Sequence, residues 1–367
     1  MSEKRIAIIS DQLAGGIGGA ESITFSAVDL YPQADFYTTV YNPDIIPPKY
    51  RDLKINTTFI QHLPFAKKKY KAYFPIMPLA VEYLNMQQYD VIFSSHHSVA
   101  KGVITKPEAV HICYCHSPAR YIWDLFWTYS DLNRFNGLTK VMVAAISQYL
   151  RMWDVTSAQR VDHFLSNSKY TALRIKKFYG RDSEVLYPPV DTQKFRHEGT
   201  EDYYFMLGRL VAYKGFELAV DAFNESGKRL VIAGYGPEYE KLRKKAKSNI
   251  EMPGKIPEAD VIRYMNNCRG FLFPGKEDFG IVMVEAQSAG KPVIAFQGGG
   301  ALDIIRDEET GILFNEQTSA SLNEAIKLAE KQQWDHNLIM ENAQRFDKNI
   351  FNDRLKNILD NSEDYKR

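Results

Sequence analysis

Cysteine is scarce: Cys113, Cys115 and Cys268 are the only three in 367 residues, an odd number far below what a disulfide-built secreted domain uses. A disulfide scaffold is excluded, and a reducing cytoplasm fits. Long apolar runs are missing too. No window approaches the roughly 20 apolar residues that a membrane-spanning helix needs. The opening MSEKRIAIISDQLAGG runs straight into a strand-like segment without the apolar stretch of a signal peptide. The expectation is a cytoplasmic chain that does not cross the membrane by itself. An excess of either charge is lacking as well: Lys and Arg number 46 against 45 Asp and Glu, so net charge gives no reason for non-specific nucleic-acid binding.

What is present is an ordinary folding composition, 45% hydrophobic and 25% charged, which excludes a mainly disordered chain. The length exceeds what one hydrophobic core usually fills, so two domains are expected. RIAIIS at residues 5–10 is a strand-like run closed by glycines, and ESITFSAVDLY after it has helical spacing. Similar runs recur at DFYTTV, DVIFSS, HICYCH and DHFLSNS, with helix-like stretches between. Such alternation predicts an α/β chain with parallel sheets covered on both faces. LYPPVDTQKF at 186–195 interrupts it, since two prolines remove backbone donors. The alternation restarts with DYYFMLG, KRLVIAG, GFLFPG and KPVIAF. We therefore expect one domain over 1–188, a second over 189–345, and a C-terminal amphipathic helix over 346–367 that packs back on the first, with Phe351, Leu355 and Leu359 inward.

In an open parallel sheet, ligands bind beyond the carboxyl ends of the strands. After DYYFMLG come Arg209 and Lys214, a fork of donors and a mobile point charge suited to a diphosphate; alone, two such cations are more often solvated surface charges. Farther on, Glu277 and Glu285 flank a glycine-containing turn and a helix start expected near Phe279, with Phe279, Gly280 and Ile281 as candidate donor-binding positions. Free N–H groups there would suit a phosphate, and the two carboxylates can accept hydrogen bonds from hydroxyl groups. Cys113, Cys115 and His116 do not read as a metal site, because cysteines two apart on a strand share one face and no second ligand pair appears. The first glycine loop, GIGGAE, lacks the third glycine of a dinucleotide fingerprint, and no acid closes the following strand, which disfavours a nicotinamide cofactor. His96 and His97 carry no motif and are expected to be structural or at the surface. The apolar stretches YIWDLFWTY (121–129) and VMVAAISQYLRMW are expected in the core or a lid.

These residues resemble a family 4 glycosyltransferase, whose signature is an E-x7-E element preceded by an Arg and Lys pair; GGIGGAE at 15–21, HSP at 116–118 and the glycine run before ALDII belong to the same likeness, which spans nearly the whole chain. The resemblance implies the GT-B fold, two Rossmann-like doubly wound domains, with nucleotide-sugar donor on the second and acceptor on the first, and closure that excludes water before transfer with retention. It implies that Glu277 meets the donor sugar, Glu285 the ribose, and Arg209 and Lys214 the diphosphate. It further implies that His116 contacts the transferred sugar, that Gly16 contacts the donor while Gly18 and Gly19 face the acceptor, and that backbone at Lys255 and Ile256 in PGKI selects the base. HSPARYIWD, EDFGI and GGALDII most resemble mannosyltransferases of bacterial surface-polysaccharide pathways, so GDP-mannose is the leading donor, with a UDP-sugar as alternative. Asp303 departs from a Glu common in that likeness. No Asp-x-Asp occurs, so no metal and no other cofactor is expected. Lys67, Lys68, Lys69 and Lys71, interleaved with aromatics, invite an anionic membrane surface presenting a lipid-linked acceptor, or else form a solvated loop. Rivals are a glycan phosphorylase, which would need a pyridoxal phosphate lysine, and a non-catalytic nucleotide-sugar-binding subunit.

Overall fold

The computed structural model describes residues 4–16, 18–126 and 137–367. The chain divides into two compact units, Met1–Pro188 with Phe351–Arg367, and Pro189–Ile350. In the first, β1 (Ile6–Ser10), β2 (Asp35–Thr38), β3 (Ile55–Thr57), β4 (Val91–His96), β5 (Val110–Cys115), β6 (His163–Ser166) and β7 (Glu184–Val185) lie in the order β3-β2-β1-β4-β5-β6-β7. Every pairing is parallel, Ala7 facing Asp35 on one side of β1 and Ile92 on the other. β1, β4 and β5 are buried along their whole length, as strands covered on both faces must be.

Strand periodicity splits the first unit's core in two. Ile6, Ile8, Phe93 and Ile112 point to one face, where Ile23 and Ala27 of the helix Gly19–Leu30 and Phe351, Leu355, Ile358 and Leu359 of the helix Lys348–Asp360 cover them. Ala7, Ile9 and Ile92 point to the other, against Met77, Val81 and Val99. Cys113 and Cys115 are buried there as free thiols beside Phe164 and Ile175, so they are core residues. The stretch VMVAAISQYLRMW is only partly in the core. It lies in the helix Gly137–Ala158, which buries Ser147, Leu150 and Asp154 but exposes Leu138, Val141, Met142, Tyr149 and Met152; its apolar residues ring the helix, and only one side finds a partner among the described residues. Ile122 and Phe126 are buried, whereas residues 127–129 of YIWDLFWTY lie outside the described residues.

The second unit repeats the plan with β8 (Tyr204–Leu207), β9 (Leu230–Ala233), β10 (Ile250–Gly254), β11 (Gly270–Phe273), β12 (Val293–Phe296) and β13 (Gly311–Phe314), in the order β10-β9-β8-β11-β12-β13. Its core runs through Met206, Phe216, Val220, Ile232, Ile294 and Ile326. In both sheets the chain works outward from a central strand, then crosses back to build the other half. The reversal falls between β1 and β4 in one unit and between β8 and β11 in the other. Neighbouring connections depart to opposite faces there, opening a crevice at the strands' carboxyl ends. No described helix is long and apolar enough to cross a membrane.

Candidate active site

The second unit's crevice is framed by glycines that admit close backbone approach. After β8, Gly208 (φ +157) turns outward and its N–H donates to Ala233 O at 3.1 Å. Gly234 lies so near that a Cβ would fall 1.9 Å from Gly208 O. This fixes the loop bearing Arg209 and, at the end of the 3-10 turn Ala212–Lys214, Lys214. Beyond β11, a Cβ on Gly275 would sit 2.6 Å from Lys214 Cα, so only glycine lets the two loops meet. Lys214 Nζ thereby reaches Glu277 Oε1 at 2.8 Å, with the side chains 19% and 18% exposed. The contact is ionic and lies off the hydrogen-bond direction: Oε1 is buried and accepts no hydrogen bond among the described residues, which leaves its acceptor capacity for a ligand hydroxyl. Arg209, in the same loop, is exposed and enters no ion pair among the described residues.

The glycine run 298–300 sets the position of Glu277 from behind. Cβ atoms on Gly299 (φ +65) and Gly300 would fall 2.1 Å from Glu277 O and 2.2 Å from Phe279 O, and Gly300 N–H donates to Glu277 O at 3.0 Å. The helix expected near Phe279 begins two residues later, as Ile281–Ser288, because Gly280 holds φ +94 and caps it in the left-handed region. Phe279 packs its ring against Phe346 at 5.6 Å, so only its backbone faces the crevice. Ile281 opens the helix and Glu285 sits on its second turn, half-buried. Burial pushes the Glu285 carboxyl up to about 7, with Lys194 opposing and Glu258 reinforcing. Lys194 itself hydrogen-bonds Glu258; neither residue stood out in the sequence, since nothing in their spacing relates them to Glu285. Lys255 and Ile256 follow β10, tied to the neighbouring loop by Gly234 N–H donating to Gly254 O at 2.8 Å. Asp303 is buried in the short helix Ala301–Ile304.

The first unit's crevice holds a cluster that sequence reasoning did not single out. Asp11 follows β1, is 1% exposed, and accepts the N–H groups of His97, Val99 and Ala100 at 2.5, 2.6 and 2.6 Å. Its Oδ2 also lies 2.9 Å from His97 Nδ1. Burial works to raise the Asp11 carboxyl, but His97, through its ring and its backbone N–H, and His96 beside it hold it well below the usual carboxylate range. Conversely, Asp11 overcomes the burial of His97 and raises it above an ordinary histidine. His97, expected to be structural or superficial, is thus a half-exposed imidazole fixed by a buried carboxylate, and its ring centroid lies 6.3 Å from that of His116. His116 is pushed down to about 3 by burial, with His97 adding to it, and its Nε2 pairs with Ser95 Oγ at 2.8 Å. It is neutral at physiological pH. Beside them lies the glycine loop: Gly16 has φ +111, Gly19 starts the helix Gly19–Leu30, and Glu21 accepts Gly18 N–H at 2.8 Å. Among the described residues no three His, Cys, Asp or Glu side chains gather as a metal-binding group.

The comparisons with known proteins divide the chain as the two sheets do. Residues 17–194 match the model of Glycosyltransferase Family 4, and residues 189–353 that of Glycosyl transferases group 1. The O-antigen chain mannosyltransferase C of Escherichia coli is 29% identical over 236 residues, 59% of this chain and 62% of that one. The GDP-mannose-dependent alpha-(1-6)-phosphatidylinositol monomannoside mannosyltransferase of Mycobacterium tuberculosis is 30% identical over 193 residues, 43% of this chain and 50% of that one. The matched regions thus span between half and about three-fifths of these curated relatives. Anabaena HepE, solved in complex with UDP and glucose, is similar in fold with a TM-score of 0.67 at 17% identity, covering 98% of this chain and 100% of that one. One family model takes up where the other ends, each over a doubly wound sheet of the GT-B kind, and the chain belongs to the family 4 glycosyltransferases.

Proposed function

We propose that this protein moves a hexose from a nucleotide-sugar donor to a saccharide or lipid-linked saccharide acceptor, with retention, in surface polysaccharide or glycolipid synthesis. The observation that carries the proposal is the meeting of Lys214 and Glu277 at the second sheet's reversal point, a cation beside a carboxylate oxygen that accepts no hydrogen bond among the described residues. On this reading Arg209 and Lys214 hold the diphosphate and neutralise the charge that grows as it departs, aided by the N–H groups opening the helix Ile281–Ser288. Those two cations take the part a metal ion plays elsewhere, so no metal is needed. Glu277 orients the sugar through a hydroxyl, and Glu285 receives the ribose. In the first unit neutral His116 donates to or accepts from a sugar hydroxyl, and Gly16, Gly18 and Gly19 let the substrates approach backbone. No carboxylate is assigned as a covalent nucleophile.

Mannose from GDP-mannose is the donor we favour, on the likeness to two mannosyltransferases; a UDP-sugar is the alternative. A lipid-linked acceptor at the inner membrane face draws support from Lys67, Lys68, Lys69 and Lys71, all exposed, beside Phe65, Leu79 and Tyr83 at 73%, 59% and 82% exposure, a basic and apolar surface suited to anionic lipid. The test is a donor screen by thermal shift and hydrolysis with GDP-mannose, UDP-glucose, UDP-galactose and UDP-N-acetylglucosamine, with and without chelator. A chelator-insensitive response to GDP-mannose alone supports the full reading. A response to a UDP-sugar replaces the donor, a thermal shift without hydrolysis favours the non-catalytic subunit, and silence toward all four points to that subunit or to a donor outside the four.

A further inference from the structure

We infer that Tyr235 is the platform on which the donor's nucleobase stacks, an inference that rests on the second unit being the donor site. Tyr235 lies two residues past the end of β9 and is 61% exposed. Among the described residues it is the one exposed aromatic of Pro189–Ile350; every other aromatic side chain of that unit is buried or half-buried. Its exposure does not come from a slack loop. Gly234 (φ +128) and Gly236 hold it on either side, where Cβ atoms would fall 1.9 Å from Gly208 O and 2.3 Å from Leu210 O. Leu210 N–H donates to Tyr235 O at 3.2 Å, and Glu238 N–H donates to Leu210 O at 3.2 Å. The ring is backed by Tyr239, with centroids 5.1 Å apart, and Tyr239 is tethered through its hydroxyl to Met252 O at 2.9 Å.

This aromatic pair lies between two loops of different chemistry. On one side is the loop of Arg209, bonded to it through Leu210. On the other is the end of β10, bonded through Gly234 and Gly254 and followed by Lys255 and Ile256. A nucleoside diphosphate has that same polarity, an anionic end and a flat, apolar end. With its phosphates at Arg209, a flat ring reaching toward Gly254 passes the only exposed aromatic face of the unit. An aromatic platform is tolerant of base identity, because every base offers a π-face; it sets nucleotide affinity and leaves base choice to neighbouring polar groups.

The experiment is isothermal titration of the full chain and of Tyr235→Ala and Tyr235→Phe with GDP, UDP and inorganic pyrophosphate. We expect Tyr235→Ala to bind the favoured nucleotide roughly tenfold to hundredfold more weakly, the range of base–aromatic stacking, with pyrophosphate binding unchanged and Tyr235→Phe close to wild type. The donor KM should rise in Tyr235→Ala while kcat holds. Nucleotide binding by Tyr235→Ala within twofold of wild type overturns the inference, and so does an equal loss for pyrophosphate, which would mark a structural role. If wild-type protein binds neither nucleotide, the donor-site reading itself has failed.

Discussion

Lys214 and Glu277 come from different strand ends and meet at 2.8 Å, so each neutralises the other until a donor arrives. If they act as one device on the sugar and its diphosphate, their removals are not independent. Glu277→Gln and Lys214→Ala should each lower kcat/KM by about 10²-fold or more, the usual loss when a preorganised charge is removed. The double variant should be little worse than either single one. Melting temperature should move only slightly, since a partly exposed pair contributes about 0–1 kcal/mol. Fully additive losses in a double-mutant cycle would sink the coupling.

Glu285 makes a pH-dependent prediction. Burial raises its carboxyl from 4.5 to about 7, so the folded chain keeps a proton that the unfolded chain has already lost. That proton's stabilisation is full below about 4.5 and is lost as pH rises through about 7. Glu285→Gln, always neutral, should therefore melt higher than wild type at pH 8, by about 2–4 °C for each kcal/mol regained, with the gain vanishing by pH 4. The same variant should bind donor more weakly at pH 8, where the ribose meets an ionised carboxylate in wild type. A melting difference that does not change with pH would remove the burial argument.

Interior strands were legible in the sequence and edge strands were not. β1, β2, β6, β8, β9, β11 and β12 fall within the apolar runs of the sequence, and β4 and β5 overrun theirs by one residue each, His96 and Val110. The strands overlooked, β3, β7, β10 and β13, are the outermost of the two sheets. An edge strand has one neighbour and a wet flank, so Ile55–Thr57 is half-exposed, Glu184–Val185 is two residues long, and Ile250–Gly254 alternates buried with exposed and contains Pro253. Gly311–Phe314 is apolar but only four residues long, too short to tell from a turn of buried helix. The same limit applies to the crevices. Arg209, Lys214, Glu277 and Glu285 stand out through local spacing. Asp11 and His97 are joined by a fold contact between β1 and β4 that no spacing encodes, and Asp11 in isolation reads as a solvated acid.

Asp11 and His97 should titrate as a pair. Asp11 is held below its unfolded 3.8 and His97 above its unfolded 6.5, so their mutual stabilisation is present between these values. It is lost as acid protonates Asp11, and lost again as pH rises through the raised value of His97. Asp11→Asn turns one acceptor oxygen into a donor facing an amide, which should destabilise the first unit by about 1–3 kcal/mol. Proton NMR of the histidine ring should then show His97 titrating at lower pH than in wild type. An unmoved His97 would mean that the carboxylate does not set its charge.

Gly299→Ala separates positioning of Glu277 from its chemistry. A methyl group at 299 meets Glu277 O at 2.1 Å, and the residue holds φ +65, a region costing roughly 1–2 kcal/mol for a residue with a Cβ. Backbone cannot yield like a side-chain tip, so the 277–279 turn must shift, carrying the carboxylate off Lys214. A displacement near 1 Å at a reacting centre costs about 10²-fold. We expect Gly299→Ala to lose transfer activity nearly as far as Glu277→Gln while the thermal unfolding of the unit remains cooperative. The nucleotide without its sugar should bind almost as in wild type, because Arg209 stands on another loop and Glu285 on the second turn of the helix Ile281–Ser288, past the shifted turn. Full activity in Gly299→Ala would show that the glycine run does not hold Glu277 in place, whereas equal loss of sugar-free nucleotide binding would place the damage in the fold of the whole crevice.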